Sequence, residues 1–247
     1  MESLRAEDVS KNFDGLYAIR NVSLSVKSGE RRAIIGPNGA GKTTLFNLFL
    51  GELKPSTGRI FVFGQDVTSI PVHQRVHFGL ARTFQILNLI PNLSVLDNVK
   101  LAIQAVMPFR FGMFRPQRAY TNLFDEAQAL LTQWELWEKR NDRIQDLSYG
   151  QQRRTELIMA LASKPKILLL DEPTSGLSQA AAASFLDMIR GLGHDITVVI
   201  VEHDMDVVFD LADSITVLHN GQVIAEGTKE EIKSNPKVRE VYLGEGG

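Results

Sequence analysis

The 247 residues include no cysteine, which excludes a disulfide scaffold, a thiolate metal site, an iron–sulfur ligand set and a cysteine nucleophile. An intracellular compartment fits. No apolar run approaches the ~18 residues that a membrane-crossing helix needs; the longest stretches, Leu157–Ala162, Ile167–Leu170 and Ile196–Val201, are far shorter. The first residues carry Glu2, Arg5, Glu7 and Asp8 and no apolar segment, so no secretory signal is expected. An excess of charge of one sign is missing too: 27 Lys+Arg stand against 29 Asp+Glu, a net charge of −2, which disfavours a globally basic nucleic-acid binder. Internal repeats and low-complexity runs are absent. What remains, at 44% hydrophobic and 23% charged residues, is an ordinary globular composition, long enough for one large domain or a core with a sizeable insertion.

Hydrophobic patterning points to an α/β core. Residues 20–27 alternate with period two, as a half-buried strand does, and Ser28 and Gly29 end it with a turn. Ala33–Ile35 is a short apolar run that enters a glycine-rich loop, after which Thr43–Leu50 has helical character. Lys166–Leu170 and Ile196–Val201 read as parallel strands covered on both faces, with a helix near Ala180–Gly191 between them. Antiparallel pieces surround this core: a strand near Leu4–Val9, the pair broken by Ser28 and Gly29, Arg59–Phe63, and a hairpin turning at Asn220 and Gly221. Between 93 and 145 the character becomes helical, with Leu123, Ala127, Leu130, Leu131, Trp134 and Trp137 at helical spacing. The expected organisation is one domain over 1–247: an α/β core with a β subdomain at 1–92 and 146–247, and an inserted helical subdomain at 93–145.

Three motifs carry chemistry. Gly36, Pro37, Asn38, Gly39, Ala40, Gly41, Lys42 and Thr43, with Thr44 following, fit the phosphate-loop pattern G-x-x-x-x-G-K-[ST] between a strand and a helix. The glycines let backbone N–H groups close around phosphate oxygens, Lys42 reaches the β- and γ-phosphates, and Thr43 is placed to hold Mg²⁺. Asp171 and Glu172 end an apolar strand, where open α/β sheets bind ligands. Asp171 is expected to reach the Mg²⁺, and Glu172 to act as general base on an attacking water. Ser148 to Gln151, preceded by Leu147, opens a helix; it reads either as a plain capping box or as a second anion site of exposed N–H groups.

In these residues the chain resembles the ATP-binding cassette ATPases: Walker A at Gly36–Thr43, Walker B at Ile167–Asp171, and Leu147–Gln151 in the place of the L-S-G-G-Q signature. The fold implied is a P-loop NTPase core with an antiparallel β subdomain and a helical insertion. The resemblance further implies that Gln85 links the Mg²⁺ site to the helical subdomain, that His203 reads the γ-phosphate, and that Phe13 stacks on adenine, with Tyr17 a weaker candidate. It implies two cassettes clasping two ATP molecules head to tail, Ser148, Gly150 and Gln151 of one facing the phosphates of the other. Tyr149 departs from the family's glycine, and Ser178 stands where the family has Asp or Asn.

Narrower strings, Gly79–Gln85, Leu93–Val99 and Asn235–Gly244, resemble the larger ATPase subunit of bacterial importers of branched-chain amino acids and related amides or urea. That resemblance implies transmembrane permease subunits, a second and unlike ATPase (a homodimer being possible), a substrate-binding protein acting indirectly, and a peripheral position on the cytoplasmic face of the inner membrane. A soluble cassette that drives an assembly process, such as iron–sulfur cluster biogenesis, is the alternative. The segment 107–120 interleaves Arg110, Arg115 and Arg118 with Phe109, Phe111, Phe114 and Tyr120; a solvated loop and an acidic membrane surface are both open readings. No nucleic-acid partner is expected.

Overall fold

The computed structural model describes residues 1–83, 89–107 and 117–243, without the side chains of 117–121, 242 and 243. In chain order the strands are β1 (Glu2–Phe13), β2 (Leu16–Lys27), β3 (Arg31–Ile35), β4 (Thr57–Val62), β5 (Gln65–Asp66), β6 (Leu80–Thr83), β7 (Ile167–Asp171), β8 (Thr197–Val201), β9 (Ser214–His219) and β10 (Gln222–Gly227). The helices are α1 (Lys42–Leu50), α2 (Val72–Arg75), α3 (Val95–Ala105), α4 (Gln117–Gln133), α5 (Tyr149–Ala162), α6 (Gln179–Arg190), α7 (Met205–Leu211), α8 (Lys229–Ser234) and α9 (Pro236–Leu243).

Two compact units result. The first comprises Met1–Arg82, Lys166–Pro173 and Leu192–Gly247. It holds a six-stranded sheet in the order β10-β9-β3-β8-β7-β6 and a four-stranded sheet in the order β2-β1-β4-β5. β3 runs parallel to both β8 and β9, and β7 parallel to β8. These strands read as unbroken apolar runs because both faces are covered: Ile34, Leu169 and Val199 enter one hydrophobic cluster with α1, while Ala33, Ile35 and Val217 enter another with Val208, Ile232 and Val238. The hairpin turn at Asn220 and Gly221 is formed, both residues having positive φ (48° and 74°) and His219 facing Gln222.

Ser28 and Gly29 do not join an antiparallel pair as expected. β2 pairs with β1, whereas β3 lies in the other sheet, so the turn carries the chain from one sheet to the other. Local turn chemistry signals a reversal without naming the partner strand, and here the apolar faces of β3 decide it.

The second unit, Thr83–Pro165 with Thr174–Gly191, contains α3, α4, α5 and α6, and extends beyond the 93–145 segment set apart on sequence grounds. α3 packs on α4 and α5, and α5 on α6. Leu123, Ala127, Leu131 and Trp134 are buried, on the apolar stripe their spacing predicts. Ser94 caps α3, its side chain accepting from the Asp97 N–H, and Ser148 caps α5 in a complete capping box with Gln151.

One buried cation fastens the end of α1. Arg75, only 2% exposed, donates to the carbonyls of Leu48 (2.8 Å), Phe49 (2.5 Å), Ile70 (2.9 Å) and Val67 (2.7 Å). Two of these carbonyls, Leu48 and Phe49, belong to the last turn of α1, where a positive charge meets the negative end of the helix dipole; Leu48 O also accepts the Gly51 N–H at 3.2 Å. Burial pushes the guanidinium down to about 10, still far above neutrality. Arg75→Ala removes a partner from each of these carbonyls, of which Leu48 O and Val67 O keep the N–H groups of Gly51 and Ile70, and is expected to destabilise the chain by about 1–3 kcal/mol. A urea midpoint that does not move would contradict this.

Candidate functional site

The site is built where β3 ends. Gly36 follows the strand, and residues 37–41 turn into the N-terminus of α1 with Gly41 as the N-cap in left-handed conformation. Its φ of +102° is one constraint; space is the other, since a β-carbon there would lie 2.5 Å from the Ala18 carbonyl oxygen and 2.8 Å from Ile19 Cδ1. The loop is braced from the hairpin: Gly221 N–H donates to Ala40 O (3.0 Å), and Gly221 O accepts from Arg20 N–H (2.8 Å). An open pocket of about 230 Å³ is lined by Ala18, Asn38, Gly39, Ala40, Gly41, Lys42, Thr43, Thr44 and Glu172. The outermost phosphate-loop residues and the strand-end carboxylate, far apart in sequence, thus share one cavity.

Lys42 is buried, and its ammonium donates to the carbonyls of Gly36 (2.6 Å) and Pro37 (3.0 Å). Burial lowers its pKa, against the pull of Glu172 and Asp171. Asp171, 2% exposed, has its pKa raised by burial and by Glu172, while Arg82 and Lys42 act the other way. Glu172 is the first residue beyond β7 and takes a left-handed φ of 45°, a conformation that costs a residue with a β-carbon roughly 1–2 kcal/mol. Its N–H is held by Val201 O at 2.9 Å, so the β7–β8 ladder enforces the bend that aims the carboxylate into the pocket. Such strain held by surrounding structure is common at functional sites.

His203 comes close to this carboxylate. Its Nδ1 lies 3.9 Å from Glu172 Oε1 and 3.8 Å from Glu202 Oε2. The chemistry available here is that of a polyanion cradle: backbone N–H groups at a helix N-terminus and an ammonium on one side, a carboxylate and an imidazole on the other.

Other expected residues fall elsewhere. Phe13 and Tyr17 are exposed on the β1–β2 hairpin with cations over their rings, Lys11 at 5.0 Å and Arg20 at 5.0 Å; Ala18, not either ring, lines the pocket. Ser148, Gly150 and Gln151 belong to the second unit and do not line it. Gln85 and residues 108–116 lie outside the described residues. Two residues that sequence reasoning passed over are Arg82 and Glu202. Arg82 reaches Asp171 Oδ2 (3.4 Å), Glu52 Oε1 (2.8 Å) and Asn47 Oδ1 (3.4 Å). Glu202 is fully buried and accepts the His203 N–H at 3.1 Å. An acid closing the apolar run 196–201 was a readable signal for Glu202; nothing in the sequence foretold the reach of Arg82.

Residues 19–175 match the family model for the ABC transporter, and residues 222–247 match that for the branched-chain amino acid ATP-binding cassette transporter. The chain is 36% identical over 251 residues to the high-affinity branched-chain amino acid transport ATP-binding protein LivG of Salmonella typhimurium, with 98% of each covered. It is 35% identical over 249 residues to BraF, of the same description, from Pseudomonas aeruginosa, again with 98% of each covered. A crystal structure of a nucleotide-free ATP-binding cassette from an ABC transporter superposes with a TM-score of 0.84 at 33% identity, over 98% of this chain and 99% of that one.

The phosphate loop's glycines are expected to differ in cost. Gly39→Ala meets no atom within 4 Å and bears only the strain of its φ of +80°, about 1 kcal/mol. Gly41→Ala must also displace the Ala18 backbone 2.5 Å away, so it should lose more stability and weaken nucleotide affinity further. Equal denaturation midpoints and equal affinities for the two variants would contradict the packing described.

Proposed function

The chain belongs to the ABC transporter family, and on that premise we propose that it is the ATP-hydrolysing subunit of an importer of branched-chain amino acids or related amino acids, amides or urea. The observation that carries the reading is the pocket that joins the phosphate loop to Glu172. The match of residues 222–247 to the branched-chain amino acid cassettes favours transport over the assembly-ATPase alternative. Among the described residues no helix is long and apolar enough to cross a membrane, so membrane attachment falls to permease subunits, with this chain peripheral on the cytoplasmic face. A second, unlike cassette and a substrate-binding protein complete the proposed assembly.

In the proposed mechanism the N–H groups of residues 38, 39 and 41–44 and the Lys42 ammonium take the triphosphate. The ammonium exchanges the loop carbonyls it now holds for phosphate oxygens. Phe13 stacks on the adenine, an assignment supported by its exposed ring on the same hairpin as pocket-lining Ala18. The donors near the loop, the Thr43 hydroxyl and the Asp171 carboxylate, would fit a magnesium ion carried in with the nucleotide; Gln85, outside the described residues, is assigned as a further ligand on the family resemblance alone. Magnesium prefers such sets, one or two carboxylates plus substrate phosphates, to an all-protein cage, and among the described residues no cluster of three His, Cys, Asp or Glu forms one. When bound, the ion neutralises charge on the β- and γ-phosphates. Glu172 accepts the proton of the attacking water, and His203, 3.9 Å from it, senses the γ-phosphate. Ser148, Gly150 and Gln151, as exposed helix-start donors, complete the partner cassette's site.

Lys42→Ala is expected to abolish tight ATP binding or hydrolysis, since it removes a positive charge from a partly desolvated site; normal Mg-ATPase activity in the assembled transporter would remove the assignment. Glu172→Gln keeps the volume but cannot take the proton, so turnover should fall by ~10²–10⁴ while ATP still binds. With ATP this variant should be trapped as a two-cassette sandwich, and adding Ser148→Arg should prevent it. Size-exclusion chromatography with and without ATP, alone and with the second cassette, reads the outcome; a monomer under every condition would sink the composite site.

A further inference from the structure

Tyr149, the residue at which the signature departs from the family's glycine, is built into its surroundings. Its hydroxyl oxygen accepts a hydrogen bond from Arg153 Nε at 3.1 Å, and the guanidinium carbon lies 5.4 Å from the ring centroid. That guanidinium is fixed from behind, for Arg153 and Glu156 are 2% and 5% exposed and pair at 3.2 Å. The ring also lies against a second segment: a β-carbon at Gly176 would sit 3.2 Å from Tyr149 Cε1, and the φ of Gly176 is +75°. Gly150 repeats the relation, since its β-carbon would meet Ala181 Cβ at 3.0 Å and Leu177 Cδ2 at 3.9 Å. Residues 149–150 are thus seated on 176–181, all within the second unit.

Ser178 stands on this same loop, and its hydroxyl caps α6 by accepting the Ala181 N–H at 3.4 Å. Two departures from the family pattern therefore fall on one contact. The loop that bears Gly176 enters the second unit at Thr174, two residues beyond Glu172.

We propose that Tyr149 is a positioning residue that locks the signature turn, Ser148 to Gln151, onto the loop 174–178, so that the donors offered to a partner cassette's nucleotide and the loop leaving Glu172 are held as one piece. The hydroxyl anchors the ring to the Arg153–Glu156 pair, and the ring, at Cε1, holds the glycine of the loop. Without the tyrosine the turn still has its capping box and remains a helix start, but it loses its fixed relation to 174–178. This rests on the reading that the signature completes a partner's site.

The test places Tyr149→Phe and Tyr149→Gly separately in the full-length Glu172→Gln chain and follows ATP-driven pairing by light scattering, alone and with the second cassette. Single-chain affinity for ATP is measured beside it. Tyr149→Phe keeps the ring on Gly176 and deletes the hydroxyl acceptor; it should raise the ATP concentration for half-maximal pairing about three- to tenfold, with single-chain affinity unchanged. Tyr149→Gly should raise it further, and Gly176→Ala, which pushes on the ring, should act in the same direction. Wild-type pairing in Tyr149→Phe and Gly176→Ala overturns the proposal, and these two decide the matter if Tyr149→Gly does not fold. Equal losses in pairing and in single-chain affinity also overturn it, since they mark general destabilisation. A Ser148→Arg control that still pairs identifies the composite-site reading, rather than the lock, as what has failed.

Discussion

The first unit depends on how closely its backbone segments approach one another at the phosphate loop. At Gly36, Gly41 and Gly221 a β-carbon would fall 2.2, 2.5 and 2.7 Å from the carbonyl oxygens of Leu218, Ala18 and Ala18 respectively. Three pieces of chain, the loop, β2 and the β9–β10 hairpin, therefore meet main chain to main chain. The hydrogen bonds of Gly221 to Ala40 and Arg20 tie the same pieces together. Apart from Ala40, whose N–H donates to Pro37 O, a loop held at its carbonyls leaves backbone N–H groups for anions. The mixed sheet supplies the support: β3 delivers the loop, and its parallel neighbours β8 and β9 are buried on both faces.

Charge balance at the end of β7 follows from that geometry. Asp171 and Glu172 are adjacent carboxylates; Asp171 is almost wholly removed from water, and both that burial and the neighbouring Glu172 make its ionisation costlier. Lys42 on one side and Arg82 on the other offset this. Arg82 also reaches Asn47 on α1 and pairs with Glu52 just beyond the helix, so the cation beside the strand-end acid is itself held by the segment that the phosphate loop begins. The Arg75 contacts fix that helix end as well. Both ends of α1 are thus pinned by polar contacts and its middle by Leu45, Phe46, Leu48 and Phe49, all fully buried.

Motifs whose chemistry is local were readable from sequence. The phosphate loop, the Asn220–Gly221 turn and the capping box at Ser148 are each specified by residues within a few positions, and each is present. Buried parallel strands were readable because unbroken apolar runs have few other uses. Strand partnership was not: Ser28 and Gly29 look alike whether the next strand joins the same sheet or another. Nor were long-range polar contacts, such as Arg82 to Asp171 or Arg75 to the end of α1, because a basic residue in a mixed sequence carries no mark of what it will reach. Tyr149 was legible only as an exception: Arg153 stands four residues on in α5, but Gly176 lies in a separate loop.

The hairpin turn has a consequence for anyone who would alter the chain. Tight turns of two residues are ordinarily where insertions, epitope tags and new termini are tolerated, because their backbone faces water. At 220–221 the backbone instead faces the phosphate loop: Gly221 is buried and both its N–H and its carbonyl are engaged. Lengthening the turn by even one residue would move these partners out of register with Ala40 and Arg20. The exposed turn at Gly64, between β4 and β5, where a glycine β-carbon would meet nothing within 4 Å, is the more permissive point for a graft.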